Sequence, residues 1–293
     1  MEIVVGKTAG FCFGVKRAVD GAKEQINKNK KIFCLGEIVH NKQVVDELES
    51  EGIIFINNIE EANGKTIIRA HGVEKNIYEK ANELNIELVD YTCPNVLKIH
   101  KIADEYSKNG YYIFLCGSKK HPENIGTISH CGNNYSVIEK EDDVFKALDR
   151  FKKSKFKKLL LISQTTYSLE KFYKIEEIIN NELEKNIEII IKNTICRATE
   201  LRQKETDEIS KKADYMIIIG GVNSSNTRKL FDIAKNNCEN CVCIETAIEL
   251  NLQDCIKYNK IGIMAGASTP KKSIEEVVHI LNEQNNETLL LKV

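Results

Sequence analysis

Three of the ten cysteines stand in settings that packing alone does not explain. Cys12 lies in Gly10-Phe11-Cys12-Phe13-Gly14-Val15-Lys16-Arg17-Ala18, between two aromatics and with a glycine two places away on either side. Such glycines let the backbone approach something bulky or take positive φ. Cys93 lies in Thr92-Cys93-Pro94, and Cys196 follows Ile195. A cysteine taken alone is most often a small buried hydrophobe. These three, however, divide the chain at intervals of about one small α/β domain. Three domains, each entered through a cysteine, can bring three thiolates to one point, and thiolates so gathered form a ligand set. Zinc with three cysteines and an open position is one candidate. An iron–sulfur cubane with three cysteine ligands and one iron lacking a protein ligand is the other. The Cys-Pro pair matches the end of bacterial ferredoxin cluster motifs, where proline follows a ligand.

A second group of residues suits an anion. His40, His71, His121 with Glu123, Gln164 with Thr165, Ser224-Ser225-Asn226 and Ser268 all follow short apolar runs. Imidazole, hydroxyl, amide and backbone N–H groups all donate to phosphate oxygens. Gly220-Gly221 ahead of Asn223-Ser224-Ser225-Asn226 and a helix from Thr227 resembles an anion seat at a helix N-terminus. Loops are polar everywhere, which accounts for any one of these residues. It does not account for the scarcity of Arg and Lys at the same strand ends.

The elements that must position them are six apolar runs, at 31–35, 66–68, 111–115, 159–162, 215–219 and 261–264. Amphipathic helical stretches lie between, at 43–51, 96–109, 169–183, 200–211 and 228–235, and helical spacing over 15–21 follows the first cysteine. Continuous apolar strands alternating with helices mean parallel sheets covered on both faces, the α/β class. Ligands in such folds bind beyond the carboxyl ends of the strands. The cysteines divide the chain into an N-terminal strand and first ligand (1–13), three similar small α/β domains (14–93, 94–195 and 196–270) and a C-terminal helix and tail (271–293).

Composition narrows the function. Lys and Arg number 42 against 43 Asp and Glu, so neither nucleic acid nor a membrane surface is the expected partner. The apolar runs are too short to span a bilayer, and no signal peptide is visible, so a cytoplasmic location is expected. There thiols stay reduced, and the cysteines are ligands or packing residues.

Other motifs compete. Cys238-Glu239-Asn240-Cys241-Val242-Cys243, taken with His121-Pro122-Glu123, resembles a zinc-deaminase pattern. Asn237 rather than proline precedes Cys238, which favours a loop and strand entry with incidental cysteines. Cys34, Cys116, Cys131 and Cys255 read as core or surface thiols, and His100, His130 and His279 as structural. The basic run 152–158 reads as a solvated face. The rival functions are a zinc-dependent hydrolase or deaminase and an iron–sulfur redox sensor.

Nine short motifs in order then match a family. They are Gly10-Phe11-Cys12-Phe13-Gly14-Val15, Val39-His40-Asn41, Ala70-His71-Gly72, Thr92-Cys93-Pro94, His121-Pro122-Glu123, Gln164-Thr165-Thr166, Cys196, Asn223-Ser224-Ser225-Asn226 and Gly266-Ala267-Ser268. The chain resembles the 4-hydroxy-3-methylbut-2-enyl diphosphate reductases of the non-mevalonate isoprenoid pathway. The resemblance implies three α/β domains arranged pseudo-threefold around a 4Fe–4S cluster held by Cys12, Cys93 and Cys196, with the fourth iron open to substrate. It implies an allylic diphosphate held by His40, His71, His121, Ser224, Asn226 and Ser268. Gln164, Thr165 and Ser225 would lie near the substrate, Glu123 would supply a proton and Thr165 would relay it. It also implies an external one-electron donor such as ferredoxin or flavodoxin, and iron–sulfur assembly machinery. Phe11 and Phe13 are expected to keep water from the iron. Tyr91 departs from the pattern, standing where a small residue is common.

Overall fold

The computed structural model describes residues 1–29 and 31–290. In chain order they form β1 (Glu2–Val5), α1 (Phe13–Lys28), β2 (Ile32–Leu35), α2 (Lys42–Ser50), β3 (Ile53–Ile56), β4 (Thr66–Ile68), α3 (Lys75–Glu83), β5 (Leu88–Asp90), α4 (Pro94–Lys108), β6 (Tyr112–Cys116), α5 (Pro122–Ile128) and β7 (Tyr135–Ile138). Then follow α6 (Asp143–Lys153), β8 (Lys158–Ser163), α7 (Leu169–Glu182), β9 (Glu188–Ile191), α8 (Arg197–Ser210), β10 (Tyr215–Ile219), α9 (Ser225–Asn237), β11 (Cys241–Ile244), α10 (Leu252–Cys255), β12 (Lys260–Ala265) and α11 (Lys271–Leu290). Among the described residues no helix is long and apolar enough to cross a membrane.

The strands make three four-stranded sheets in which every neighbouring pair is parallel. Their orders are β3-β2-β4-β5, β7-β6-β8-β9 and β11-β10-β12-β1, one topology three times over. The six apolar runs of the sequence are the central pairs, β2 and β4, β6 and β8, β10 and β12. These are buried almost throughout because helices cover both faces. The edge strands β3, β5, β7 and β9 carry exposed or half-buried positions, although β3 (Ile53-Ile54-Phe55-Ile56) and β9 (Ile189-Ile190-Ile191) are themselves apolar runs outside the six named from the sequence.

The segment 1–13 supplies the fourth strand of the third sheet, since β1 pairs with β12 from Glu2↔Lys260 to Val5↔Ile263. Helices start earlier than the periodicity predicts. Cys93 and Pro94 open α4, proline taking the first-turn position where its missing N–H costs nothing. The Ser224 side chain accepts from Thr227 N–H at 3.3 Å and opens α9, so Ser225 and Asn226 lie in its first turn. In the first and third sheets a 3-10 turn follows the outer strand. The Glu61 and Glu249 carboxylates accept from the N–H groups of Asn58 and Thr246 at 2.8 and 2.9 Å.

The chain divides into two compact units. One comprises Met1–Lys16, Val39–Asp46 and Arg197–Val293, and the other Arg17–Ile38 and Glu47–Cys196. The second unit therefore holds two of the sheets. Its largest core surrounds Phe114, Phe151 and Phe172, all fully buried, each contributing about 2 kcal/mol by leaving water.

Candidate functional site

Each sheet delivers chemistry at the carboxyl ends of its central strands. After β2, β6 and β10 come Gly36, Gly117 and Gly220, whose N–H groups donate to Ile56, Ile138 and Ile244 carbonyls of the neighbouring strands at 2.7, 3.0 and 2.9 Å. At Gly117 (φ 152°) a Cβ would meet Asn124 Nδ2 at 2.3 Å, and at Gly220 (φ 150°) it would meet Thr227 Oγ1 at 2.6 Å. Only glycine turns the chain so sharply this close to packed side chains. After Gly117 and Gly220 the turns lead into α5 and α9, whose caps and first turns carry His121, Glu123, Ser224, Ser225 and Asn226, and after Gly36 the predicted His40 lies just before α2.

In the second unit, His121 caps α5 through Nδ1, which accepts from Glu123 N–H at 3.2 Å. That bond leaves Nε2 as the protonated ring nitrogen, an N–H suited to an anion. The His71 ring meets His121 edge-on, with centroids 5.4 Å apart. Glu123, in the first turn of α5, is only 2% exposed. Its carboxylate accepts from Thr165 N–H and Thr165 Oγ–H, both at 2.6 Å. Burial pushes its pKa up to about 7, and the two Thr165 hydrogen bonds pull against that rise. Gln164 spends its amide on protein partners. Oε1 accepts from Asn124 Nδ2 at 3.0 Å and Ser118 N–H at 3.3 Å, and Nε2 donates to Thr166 Oγ1 at 2.8 Å. The strand-end loop and α5 are thus locked together around Glu123.

In the first unit, Ser268 Oγ donates to the His40 carbonyl at 3.1 Å, and Gly221 packs against that same carbonyl. Asn226 is buried with both ends of its side-chain amide unpartnered. A buried amide costs stability unless something hydrogen-bonds it, so this one has the character of a ligand contact.

Cys12, Cys93 and Cys196 share a setting that no other cysteine has. Each leaves an edge strand (β1, β5, β9) and directly precedes a helix (α1, α4, α8). Each donates its N–H to the loop after the adjacent central strand, to Ala267, Ala70 and Thr165 carbonyls at 3.1, 2.9 and 2.9 Å. All three are half-buried. The α1 helix starts at Phe13, directly after Cys12 and ahead of the helical spacing at 15–21. Within the second unit, Asn95 Nδ2 lies 3.1 Å from Cys196 Sγ, so the start of α4 that carries Cys93 reaches the third cysteine.

The remaining cysteines look different. Burial pushes Cys34, Cys131 and Cys241 up to about 12 and Cys255 to about 11, which keeps them protonated thiols. Cys238 donates to the Ala213 and Asn240 carbonyls and lies in an apolar cluster with Cys241, Met216 and Met264. With Cys238 bonded to two carbonyls and both Cys238 and Cys241 packed in an apolar cluster, the structure gives the rival zinc site no support. No disulfide joins any of the ten cysteines.

Phe13, expected to keep water from the iron, is 74% exposed at the start of α1. Tyr91, by contrast, is accommodated by α1. Its ring lies where a Cβ at Gly21 would be, its hydroxyl donates to the Gly21 carbonyl at 3.1 Å, and Arg17 lies over it. Sequence reasoning missed Asn95, Asn124 and Arg202. Arg202, on α8, donates to the Thr8 and Gly10 carbonyls at 2.6–2.9 Å and holds the loop before Cys12. Glu205, one turn on, accepts from Lys7 and Thr8 N–H groups. No local pattern marks these residues, since their partners lie far off in sequence.

Comparison with known proteins decides the family: residues 3–282 match the model of the LytB protein. The chain belongs to the LytB family. This LytB chain is 42% identical over 297 residues to the 4-hydroxy-3-methylbut-2-enyl diphosphate reductase of Caldanaerobacter subterraneus subsp. tengcongensis, covering 98% of this chain and 99% of that one. It is 42% identical over 290 residues to the reductase of the same name from Clostridioides difficile, covering 96% and 99%. Among solved structures, the LytB fold seen here matches the E-1-hydroxy-2-methyl-but-2-enyl-4-diphosphate reductase from Plasmodium falciparum with a TM-score of 0.87 and 33% identity, over 96% of this chain and 87% of that one. It also matches an (E)-4-hydroxy-3-methyl-but-2-enyl diphosphate reductase, described as the terminal enzyme of the non-mevalonate pathway, with a TM-score of 0.69 and 36% identity over 97% and 100%.

Proposed function

We propose that this chain reduces 4-hydroxy-3-methylbut-2-enyl diphosphate, removing the allylic hydroxyl to give isopentenyl and dimethylallyl diphosphate. Two electrons and two protons balance the reaction. The C–O bond breaks, one proton leaves with the hydroxyl as water, and the other ends on carbon.

Cys12, Cys93 and Cys196, contributed by 1–13, 14–93 and 94–195 with the start of 196–270, would hold a 4Fe–4S cluster. Three half-buried sulfurs at helix N-termini fit such a group, and the seven remaining cysteines do not share their setting. When bound, the cluster supplies electrons one at a time and a Lewis acid.

The chain's own residues handle the proton and the anion. The observation that carries the reading is Glu123, a buried carboxyl whose pKa is raised to about 7 and which Thr165 holds by two hydrogen bonds. An acid with a pKa near the working pH gives up its proton efficiently and recovers it between turnovers. Thr165 Oγ, 2.6 Å from Glu123 Oε2, provides a relay from carboxyl to substrate. His40, His71, His121, Ser224, Asn226 and Ser268 would bind the diphosphate, the imidazoles and amide as N–H donors and the serines as O–H donors. Ser225, at the start of α9, would lie near the substrate. Gln164 would serve by bracing Asn124 and Thr166 beside Glu123. The reading places the reaction in the cytoplasm, with a one-electron donor such as ferredoxin or flavodoxin and with iron–sulfur assembly machinery.

Anaerobically purified protein should be brown, contain iron and sulfide in equal amounts, and oxidise reduced methyl viologen only when the hydroxymethylbutenyl diphosphate is added. Glu123→Gln should bind the substrate and lose about 10²- to 10⁴-fold in turnover. A colourless preparation with stoichiometric zinc, or full turnover by Glu123→Gln, would sink the corresponding part of the proposal.

A further inference from the structure

The hydrogen bond from Asn95 to Cys196 has no place in the binding or proton-transfer roles above. Asn95 stands two residues after Cys93 in the first turn of α4, yet its amide does not cap its own helix. Nδ2 reaches across to Cys196 Sγ at 3.1 Å, a short contact for nitrogen and sulfur. An amide N–H facing sulfur stabilises negative charge on it. Hydrogen bonds to cluster sulfurs are among the factors that set reduction potential, because the reduced cluster carries the extra charge.

We propose that Asn95 is a positioning residue that tunes the cluster. By donating to the Cys196 sulfur it favours the reduced state and raises the reduction potential, and it holds the start of the Cys93 helix against the third ligand. The inference rests on the reading of Cys196 as an iron ligand. One neutral side chain would thereby act on two of the three ligands, through Cys93 by the backbone of α4 and through Cys196 by the N–H.

The test is an anaerobic redox titration of the reconstituted protein, followed by electron paramagnetic resonance and visible absorption. Wild type is compared with Asn95→Leu, which removes the donor at similar volume, and Asn95→Asp, which keeps the shape and puts an acceptor in its place. The expected order of midpoint potential is wild type highest, Asn95→Leu lower and Asn95→Asp lowest, with equal iron and sulfide in all three. Wild-type potentials in both variants, or equal shifts in both, would overturn the proposal, since a packing role does not distinguish leucine from aspartate in that direction. Failure of both variants to load a cluster, when Cys196→Ala also fails, would mean that the bond serves assembly, and would likewise overturn the tuning role. Cys196→Ala separates the two levels. A full cluster with the wild-type spectrum in that variant removes Cys196 from the ligand set, and with it the basis of the inference.

Discussion

The loops after β4 and β8 have the same backbone and different chemistry. In Arg69-Ala70-His71-Gly72 the fourth residue donates its N–H to the first residue's carbonyl at 3.0 Å, and the second residue's carbonyl accepts from Cys93. In Gln164-Thr165-Thr166-Tyr167 the fourth again donates to the first at 3.0 Å, and the second accepts from Cys196. Ala70 offers only its carbonyl there, whereas Thr165 adds a hydroxyl that donates to Glu123. The loop after β12, Gly266-Ala267-Ser268-Thr269, repeats the turn with alanine at the second place. A scaffold repeated three times fixes the cysteines, and one substituted position in one copy couples the acid to it.

If the repeat fixes the cysteines, removing one should be catastrophic wherever it lies. Cys93→Ala should abolish both colour and turnover, while Cys241→Ala, outside the repeated setting, should keep both within about twofold; iron analysis with the viologen assay measures this. Thr165→Ala makes the second loop a chemical copy of the first. It should lower turnover by roughly ten- to a hundredfold while leaving KM little changed, and because a donor to the carboxylate is lost, the Glu123 limb of the pH–rate profile should move above about 7.

The acid also has a stability signature. Glu123 has its folded pKa raised above the unfolded value of 4.5 to about 7. Its contribution is fully present below 4.5 and is lost as pH rises through 7. Glu123→Gln, neutral throughout, should therefore gain on wild type by roughly 3 kcal/mol between pH 4.5 and pH 8, as read by urea unfolding at the two pH values. His100 pulls the other way. Burial lowers its pKa to about 4, so it destabilises the fold as pH falls from 6.5 toward 4, in wild type and variant alike. The last comparison is steric. Gly117→Ala should cost about 3 kcal/mol, since it combines positive φ with a Cβ driven into Asn124 and Gln164. Gly52→Ala, at φ 115° with nothing within 4 Å, should cost about 1 kcal/mol.

The central strands were legible in the sequence because helices cover them on both sides, leaving runs such as 159–162 and 215–219 wholly apolar. The edge strands were not picked out: β3 and β9, though apolar at 53–56 and 189–191, mix in exposed or half-buried positions as β5 and β7 do, and lack the uniform burial of the central strands. Cys12, Cys93 and Cys196 stood out by residue type and context, whereas the role expected of Glu123 came from the family resemblance. Asn95 and Asn124 did not, since asparagine is common at turns and helix starts for local reasons. Their roles depend on Cys196 and Gln164, which no spacing rule connects to them. The membership of β1 in the third sheet was hidden for the same reason, its partner being at the opposite end of the chain.

That pairing orders the birth of the molecule. On the ribosome β1, which leads to the first cysteine, is made well before β12, its partner in the sheet. The first two sheets can close as their own segments appear, each from contiguous sequence. The third waits, and until Ala267 is available to accept from Cys12 the first cysteine has no fixed position. A chain stopped before β12 would carry Cys12, Cys93 and Cys196 with only the last two held by their strand-end loops.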